Sequence, residues 1–147
     1  MEDCLFCKII KGEIPASIVY KDEYCTAFMD IKPVNAGHVL VIPNNHAAGL
    51  ADLNPEDGEK MFAAGQKIAA ALKKSGIRCE GINYFLADGK AANQEVFHVH
   101  LHVFPRFTGD GCGLKVPPEY YERTMEREKL EDAAEKIITA MDQDNSL

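Results

Sequence analysis

The hydrophobic residues of this chain recur with two different periods. Short stretches rich in β-branched and aromatic residues, each bounded by polar or turn-forming residues, predict β-strands. The first two stretches are separated only by residues 21–23, which predicts a hairpin. Five strands are predicted in this way, over residues 17–20, 24–29, 38–42, 82–86 and 97–104.

A helical period occurs in the middle of the chain and again near its end. In the middle segment, Asn54 can cap a helix and Pro55 suits its first position. Buried positions then recur at spacings of four, three and four before a stop at Gly76, and they are Met61, Gly65, Ile68 and Leu72. A short helical turn is predicted over residues 4–10, and a second amphipathic helix carries Leu130, Ala134, Ile137 and Met141. Hairpin-joined strands with helices set apart predict an α+β fold with a mostly antiparallel sheet.

Composition and charge narrow the functional classes. With 147 residues, 46% of them hydrophobic and 27% charged, the chain is long enough for one domain with a packed core. No apolar run approaches the ~20 residues of a membrane span, and the start of the chain lacks the basic segment of a signal peptide. We therefore expect a cytoplasmic protein without a membrane partner. The net charge of -7, with no basic cluster longer than Lys73 and Lys74, disfavours a nucleic acid partner.

Three of the five histidines, His98, His100 and His102, alternate with apolar residues. On a β-strand, this period of two places all three imidazoles on one face. At a rise of about 3.3 Å per residue the outer two Cα atoms are roughly 13 Å apart, so the three cannot easily bind one metal ion. Three interpretations remain: the polar face of an ordinary strand, a metal site of His98 and His100 completed by a carboxylate, or nucleophilic catalysis in which the central imidazole attacks phosphorus.

The residues around this array resemble a known family. Residues 94–106, QEVFHVHLHVFPR, resemble the signature of the histidine triad proteins, in which a Gln precedes histidines that alternate with apolar residues. Further matches to the nucleotide-binding branch follow in order over residues 6–10, 13–16, 27–31, 37–43 and 46, so the resemblance covers about residues 4–107. It implies a catalytic domain over residues 1–108, with a five-stranded sheet, a long helix packed on it and a homodimer that extends the sheet. A C-terminal loop and helix over residues 109–147 would pack on the same domain.

The resemblance also implies an activity. It is typical of nucleotide hydrolases or transferases that cleave the α-phosphate of AMP-X substrates, such as purine nucleoside phosphoramidates, through a nucleotidyl-histidine intermediate. His100 matches the nucleophile, His102 the residue that contacts the α-phosphate, and His38 a histidine that supports the nucleophile. Gln94 matches a side chain that binds a bridging or phosphate oxygen, and Asp30 the carboxylate that binds the ribose hydroxyls. The apolar walls around the base would be Phe6, Ile10, Phe28 and Ile31.

Two departures from the family pattern leave alternatives open. Glu95 stands where many members have Ser, and Ala87 stands where they have Asn, so the leaving group is not determined. A dinucleoside polyphosphate hydrolase of the Ap4A type is one alternative. A non-catalytic, zinc-stabilised nucleotide-binding module is the other.

Cys4 and Cys7 form a CxxC pair in a chain with five cysteines. A redox disulfide in this motif usually lies in a βαβ unit, which this N-terminus lacks, and two unrelated buried thiols are a further interpretation. A zinc site needs two more ligands, and His46 and His98 are the histidines that the resemblance leaves unassigned. Some bacterial members with a Cys pair at this place bind zinc in that way. We therefore expect a structural zinc ion, with no cofactor required for the chemistry.

Overall fold

The strands and helices follow the order that the sequence predicts. The structure, a computed structural model, describes residues 3–113 and 115–144. The helices are α1 (Leu5–Ile10), α2 (Pro55–Leu72) and α3 (Arg127–Asp144), with 3-10 turns at Lys90–Ala92 and Pro118–Glu122. The strands are β1 (Ile18–Lys21), β2 (Cys25–Met29), β3 (Val39–Pro43), β4 (Gly81–Phe85) and β5 (Leu101–Arg106).

The strands form one sheet in the order β1-β2-β3-β5-β4, and every neighbouring pair is antiparallel. This arrangement confirms the α+β fold and the five-stranded antiparallel sheet. β3 is the central strand, and its pairing with β5 places Leu40 opposite His102. The histidine-bearing strand β5 is therefore held between two others, β3 and β4.

Helix α2 covers one face of the sheet. Asn54 caps this helix as predicted, because its side chain accepts a hydrogen bond from the N–H of Glu56 at 2.9 Å. Gly65 permits close contact with the sheet, since a β-carbon there would lie 2.9 Å from Leu101 Cδ2. The helix ends at Leu72, before the predicted stop at Gly76. The buried core on this face is formed by Cys25, Ala27, Val39, Val41, Met61, Ala64, Ile68, Ala69, Leu72, Leu101 and Val103.

The opposite face of the sheet carries a smaller core and the histidine of β5. Phe28, Leu40 and Ile42 pack there with Phe6 of α1. Because successive side chains of a strand point to opposite faces, His102 lies on this face while its two neighbours face α2. Helix α1 therefore covers the sheet on the same side as the histidine.

The fifth strand begins later than predicted. β5 starts at Leu101 rather than at residue 97, and it runs past the predicted end. Pro43 has no N–H with which to continue the ladder between β3 and β5. The N–H of Val99 instead donates to the carbonyl of Ala47 at 2.8 Å. The prediction that all three histidines lie in one strand is therefore wrong, since only His102 lies in β5.

The chain divides into two compact units, Met1–Cys112 and Gly113–Leu147. The first ends at Cys112, and Arg106 donates hydrogen bonds to the Asp110 carboxylate and to the carbonyl of Cys112 near that end. The predicted domain boundary at residue 108 stays a prediction. The second contains α3, the predicted C-terminal helix, and its packing on the first unit stays a prediction. None of the helices in the described residues is long and apolar enough to cross a membrane.

Candidate active site and metal centre

The three histidines that the resemblance assigns to chemistry lie together. His102 is in β5, His38 directly precedes β3, and His100 directly precedes β5. The ring centroids of His100 and His102 are 4.9 Å apart, and those of His38 and His102 are 5.1 Å apart. His38 and His100 are buried, whereas His102 is partly exposed. The three imidazoles therefore form one cluster that reaches solvent at His102.

His100 is held in a single tautomer by the backbone. Its Nδ1 lies 2.8 Å from the carbonyl oxygen of His98. Since a carbonyl can only accept, Nδ1 carries the proton and Nε2 keeps its lone pair. The Phe6 ring packs against the imidazole edge-to-face, with centroids 5.2 Å apart and an angle of 83° between the planes. The geometry leaves His100 with a nucleophilic Nε2 on an immobilised ring.

A second chain of hydrogen bonds determines the tautomers of His38 and His102. The backbone N–H of Val34 donates to His38 Nδ1 at 3.1 Å, so that the proton of this neutral ring is on Nε2. His38 Nε2 lies 2.9 Å from His102 Nδ1 and donates to it. His102 in turn carries its own proton on Nε2. It therefore presents an N–H donor beside the ring of His100.

The predicted support of the nucleophile by His38 stays a prediction. In the structure the ring of His38 hydrogen-bonds to His102, and the group bound to His100 is the His98 carbonyl. The physical reason is the register of the sheet, which places β5 residue His102 next to the start of β3. His38 acts on the cluster through His102.

Burial keeps this pair of imidazoles neutral. It lowers the pKa of His38, and the nearby Asp30 carboxylate opposes the shift only in part. For His102, burial and then the unfavourable electrostatic interaction with the neighbouring His100 and His38 rings lower the pKa to about 4, again against the attraction of Asp30. At neutral pH both rings are therefore uncharged, as the chain of hydrogen bonds requires.

We expect the free energy of unfolding to fall as the pH drops from about 6.5 towards 4. The unfolded chain, with an ordinary histidine pKa, takes up a proton before folded His102 does, and protonation therefore favours unfolding. The loss attributable to His102 alone should be about 2 kcal/mol at pH 5. Urea denaturation of the wild-type protein and of His102→Gln at pH 7 and pH 5 measures it. Both proteins keep Cys4, Cys7, His46 and His98, so an equal loss of stability in the two would contradict the prediction.

Asp30 lies beside the cluster, and the predicted apolar walls differ in their exposure. The Asp30 carboxylate accepts a hydrogen bond from the N–H of Lys32 at 2.8 Å, and its other oxygen lies 3.6 Å from His38 Nε2. Phe6 and Phe28 are buried and pack edge-to-face at 5.5 Å. Ile10 is half-buried, whereas Ile31 is 92% exposed. Their assignment to a nucleotide site stays a prediction.

Gln94 is buried and fully engaged with backbone groups. Its amide nitrogen donates to the carbonyls of Ala48 and Val96, at 2.6 and 3.1 Å, and its oxygen accepts from the N–H of Gly89 at 2.7 Å. These bonds connect the segment before the histidines to the loop after β3. A contact of Gln94 with a phosphate stays a prediction. Of the two residues that depart from the family pattern, Ala87 is buried and Glu95 is exposed.

The four predicted metal ligands converge on one point. Cys4 Sγ and Cys7 Sγ lie 3.5 and 3.6 Å from His98 Nδ1, Cys7 Sγ lies 3.5 Å from His46 Nδ1, and the two Nδ1 atoms are 3.3 Å apart. A tetrahedral zinc ion with ordinary bond lengths requires about 3.5 Å between sulfur and nitrogen and about 3.3 Å between two nitrogens. The side chains therefore already have the spacing of a Cys₂His₂ zinc site.

The surroundings of these ligands also fit a cation. His98 Nε2 donates to the carbonyl of Pro43 at 2.8 Å, which leaves Nδ1 free to bind a metal ion. Burial lowers the pKa of His98, so its ring is neutral. Burial and then the adjacent Cys4 thiol raise the pKa of Cys7, because two thiolates side by side repel each other. A divalent cation would remove that repulsion.

Within the described part of the chain, one further group of side chains is close enough to hold a metal ion, and it consists of Asp30, His38 and His102. Its hydrogen bonds argue against this use. The atom of His38 nearest the other two is Nε2, and the bond from Val34 N–H to Nδ1 places the ring proton on that Nε2. A protonated nitrogen has no lone pair for a metal ion. We therefore interpret this group as a chain of hydrogen bonds.

The backbone groups that determine the tautomers could not be predicted from the sequence. The Val34 N–H and the His98 carbonyl orient His38 and His100, and neither residue type carries a signal for such a role. The alternation of histidines marked the polar side chains but not their backbone partners.

Comparison with known proteins identifies the family. A model of the HIT domain matches residues 11–109. The chain is similar to the structure of a Zn-bound histidine triad family protein from Mycobacterium smegmatis, with 45% identity, 82% of this chain and 87% of that chain covered, and a TM-score of 0.73. It is also similar to a histidine triad nucleotide-binding protein from Candida albicans, with 31% identity, coverage of 96% and 99%, and a TM-score of 0.83. A HIT family hydrolase from Legionella pneumophila is similar as well, with 34% identity, 79% of this chain and 99% of that chain covered, and a TM-score of 0.62. On its fold, its histidine cluster and these matches, the chain belongs to the histidine triad (HIT) family.

Proposed function

We propose that this protein hydrolyses AMP-X substrates, such as purine nucleoside phosphoramidates, through a nucleotidyl intermediate on His100. The observation that carries the proposal is the hydrogen bond from His100 Nδ1 to the carbonyl of His98, which leaves Nε2 unprotonated next to a donor on His102. Two similar proteins, named as a nucleotide-binding protein and as a hydrolase, support the substrate class and the type of reaction.

The proposed reaction has two steps. His100 Nε2 attacks the α-phosphorus, a P–N bond forms, the P–X bond breaks, and X leaves with the electron pair and takes up a proton from solvent. The Nε2–H of His102 donates to a non-bridging phosphate oxygen and stabilises the charge that grows in the transition state. Water then cleaves the P–N bond, which releases AMP and regenerates the neutral imidazole. Asp30 would bind the ribose hydroxyls, and Phe6, Ile10, Phe28 and Ile31 would surround the base.

Intact-mass spectrometry tests this mechanism. After rapid mixing with a fluorogenic adenosine phosphoramidate and quenching with denaturant at alkaline pH, which preserves a P–N bond to histidine, a fraction of the chains should gain the mass of one adenylyl group. His100→Ala should gain none under the same conditions. Turnover by the wild-type protein without any adduct, at every quenching time, would argue against the covalent intermediate. Binding of AMP without turnover would favour the non-catalytic module.

We infer that Glu95 makes the site selective for its leaving group. Its side chain is exposed in the loop that precedes the histidines. An ionised carboxylate there would repel the extra charge of a dinucleoside polyphosphate and attract a cationic amine, an interaction that solvent screens but does not abolish.

Kinetics of two substrates measure this selectivity. We expect kcat/KM to be higher for amine-linked AMP than for a dinucleoside polyphosphate. In Glu95→Ser, the ratio of these two kcat/KM values should fall by roughly three- to tenfold. Glu59→Ser, an equivalent change on exposed α2, is the matched control. An unchanged ratio in Glu95→Ser would show that Glu95 has no part in substrate choice.

We also propose that Cys4, Cys7, His46 and His98 hold a structural zinc ion. The residues fit the ion in spacing and chemistry, and the similar protein from M. smegmatis is described as Zn-bound. Four protein ligands would fill a tetrahedral site, which leaves no position for substrate. When bound, the ion would tie the start of the chain to the segments that follow β3 and precede β5.

A homodimer is proposed on the family resemblance. β4 is an edge strand, and Tyr84 and Phe85 on it are about half exposed, at 48% and 49%. Pairing of β4 with a second copy would extend the sheet and cover these rings. The cytoplasmic location and the lack of a nucleic acid partner stay predictions.

A further inference from the structure

The loop at residues 33–37 provides the hydrogen bond on which the histidine pair depends. The N–H of Val34 donates to His38 Nδ1 at 3.1 Å, and the N–H of His38 donates to the carbonyl of Asn35 at 3.1 Å. If this loop moved, His38 Nδ1 would lose its donor. The ring could then take the other tautomer, and His102 would no longer be directed to carry its proton on Nε2.

The side chain of Asn35 ties this loop to the far end of β5. Its Nδ2 donates to the carbonyl of Pro105 and to the Asp110 carboxylate, both at 2.9 Å. Both partners can only accept hydrogen bonds, so the orientation of the Asn35 amide is unambiguous. The loop is therefore anchored by two bonds from one side chain.

Asp110 is itself rigidly held. Its side chain is 3% exposed and pairs with Arg106 through two bonds, at 2.6 and 2.8 Å. The N–H of Cys112 donates to the same carboxylate at 3.0 Å. Arg106 also donates to Asn83 in β4 at 2.7 Å, on the side of the guanidinium away from the loop. Bidentate pairs of this kind restrict both partners in angle as well as in distance.

We propose that Asn35 and Asp110 are positioning residues, which hold the Val34 N–H on His38 and thereby keep the His38–His102 pair in the tautomer that presents an outward N–H donor. The chain of contacts runs from Arg106 through Asp110 and Asn35 to the loop, and from the loop to the two rings. The catalytic consequence of these contacts rests on the proposed function. Their effect on the tautomers of His38 and His102 is independent of it.

The tautomers can be measured without substrate, by ¹⁵N chemical shifts of the histidine side chains. In the wild-type protein His38 and His102 should each show protonated Nε2 and unprotonated Nδ1. In Asn35→Ala, both rings should show a mixture of tautomers. Asn35→Asp keeps the size of the side chain but cannot donate, so it should give the same result and separates loss of the bonds from loss of packing. Asn83→Ala is the matched control, because it removes an asparagine from the same Arg106 without touching the loop.

The kinetic arm uses the adenosine phosphoramidate, at a temperature where all variants are folded. Both Asn35 variants should lose about tenfold in kcat with less than about twofold change in KM, while Asn83→Ala should stay within about twofold of the wild type. Single, unchanged tautomers in both Asn35 variants would overturn the proposal. Mixed tautomers with wild-type kcat would confirm the effect on the tautomers and overturn its catalytic consequence, since the donor would then not matter to the reaction. If the wild type has no turnover, the proposed function fails, and the tautomer measurement still decides the positioning role.

Discussion

Replacing His100 with alanine should abolish turnover of an adenosine phosphoramidate and leave binding of AMP detectable. The imidazole is the proposed nucleophile, and no neighbouring group has the same combination of a free Nε2 and a carbonyl on Nδ1 among the residues described. Loss of a nucleophile typically reduces kcat by roughly 10⁴-fold or more. The proposed contacts to the ribose and the base come from Asp30 and from apolar side chains, which the change does not remove.

Single-turnover kinetics and calorimetric titration with AMP measure the two effects separately. Phe97→Ala is a suitable control, because Phe97 lies in the same segment and is half exposed. It should keep near wild-type kcat. Turnover by His100→Ala at close to the wild-type rate would disprove the nucleophilic mechanism, and the assignment of His102 as the phosphate contact would need to be revised with it.

Replacing Cys7 with serine should lower the melting temperature by about 10 °C or more, because a structural zinc ion contributes several kcal/mol to folding. The purified wild-type protein should carry about one equivalent of zinc. The kcat per folded molecule should change little compared with this loss of stability, since a zinc ion with four protein ligands would have no open position for substrate. A moderate decline is nevertheless expected, because Phe6 lies between the two cysteines and packs on His100.

Metal analysis and calorimetry of matched variants test this expectation. Cys112→Ser is the control, since Cys112 is exposed and lies outside the cluster. It should keep both zinc and melting temperature. His102→Gln should also keep its zinc, because the group of Asp30, His38 and His102 is a chain of hydrogen bonds and not a metal site. If carefully purified wild-type protein contained no zinc, the proposed metal site would be wrong and Cys4 and Cys7 would be ordinary thiols.

Local signals in the sequence predicted most of the fold. The cap at Asn54 and the helical spacing of buried residues indicated α2, and short β-rich stretches indicated the five strands. These features can be read because they depend on neighbours within a few residues. The start of β5 was predicted wrongly, because it depends on Pro43, which lies in another strand.

The sequence by itself determined which side chains could do the chemistry. Alternating histidines, the CxxC pair and the order of matching segments indicated the histidine cluster and the four proposed zinc ligands, because residue type limits what a group can donate, accept or bind. The tertiary structure alone decided the partners of those groups. The contact between His38 and His102 spans 64 residues of chain, and the bond between Asn35 and Asp110 spans 75. Such long-range bonds determine tautomers and positions, yet they leave no periodic pattern along the chain, because they depend on how distant strands and loops are brought together.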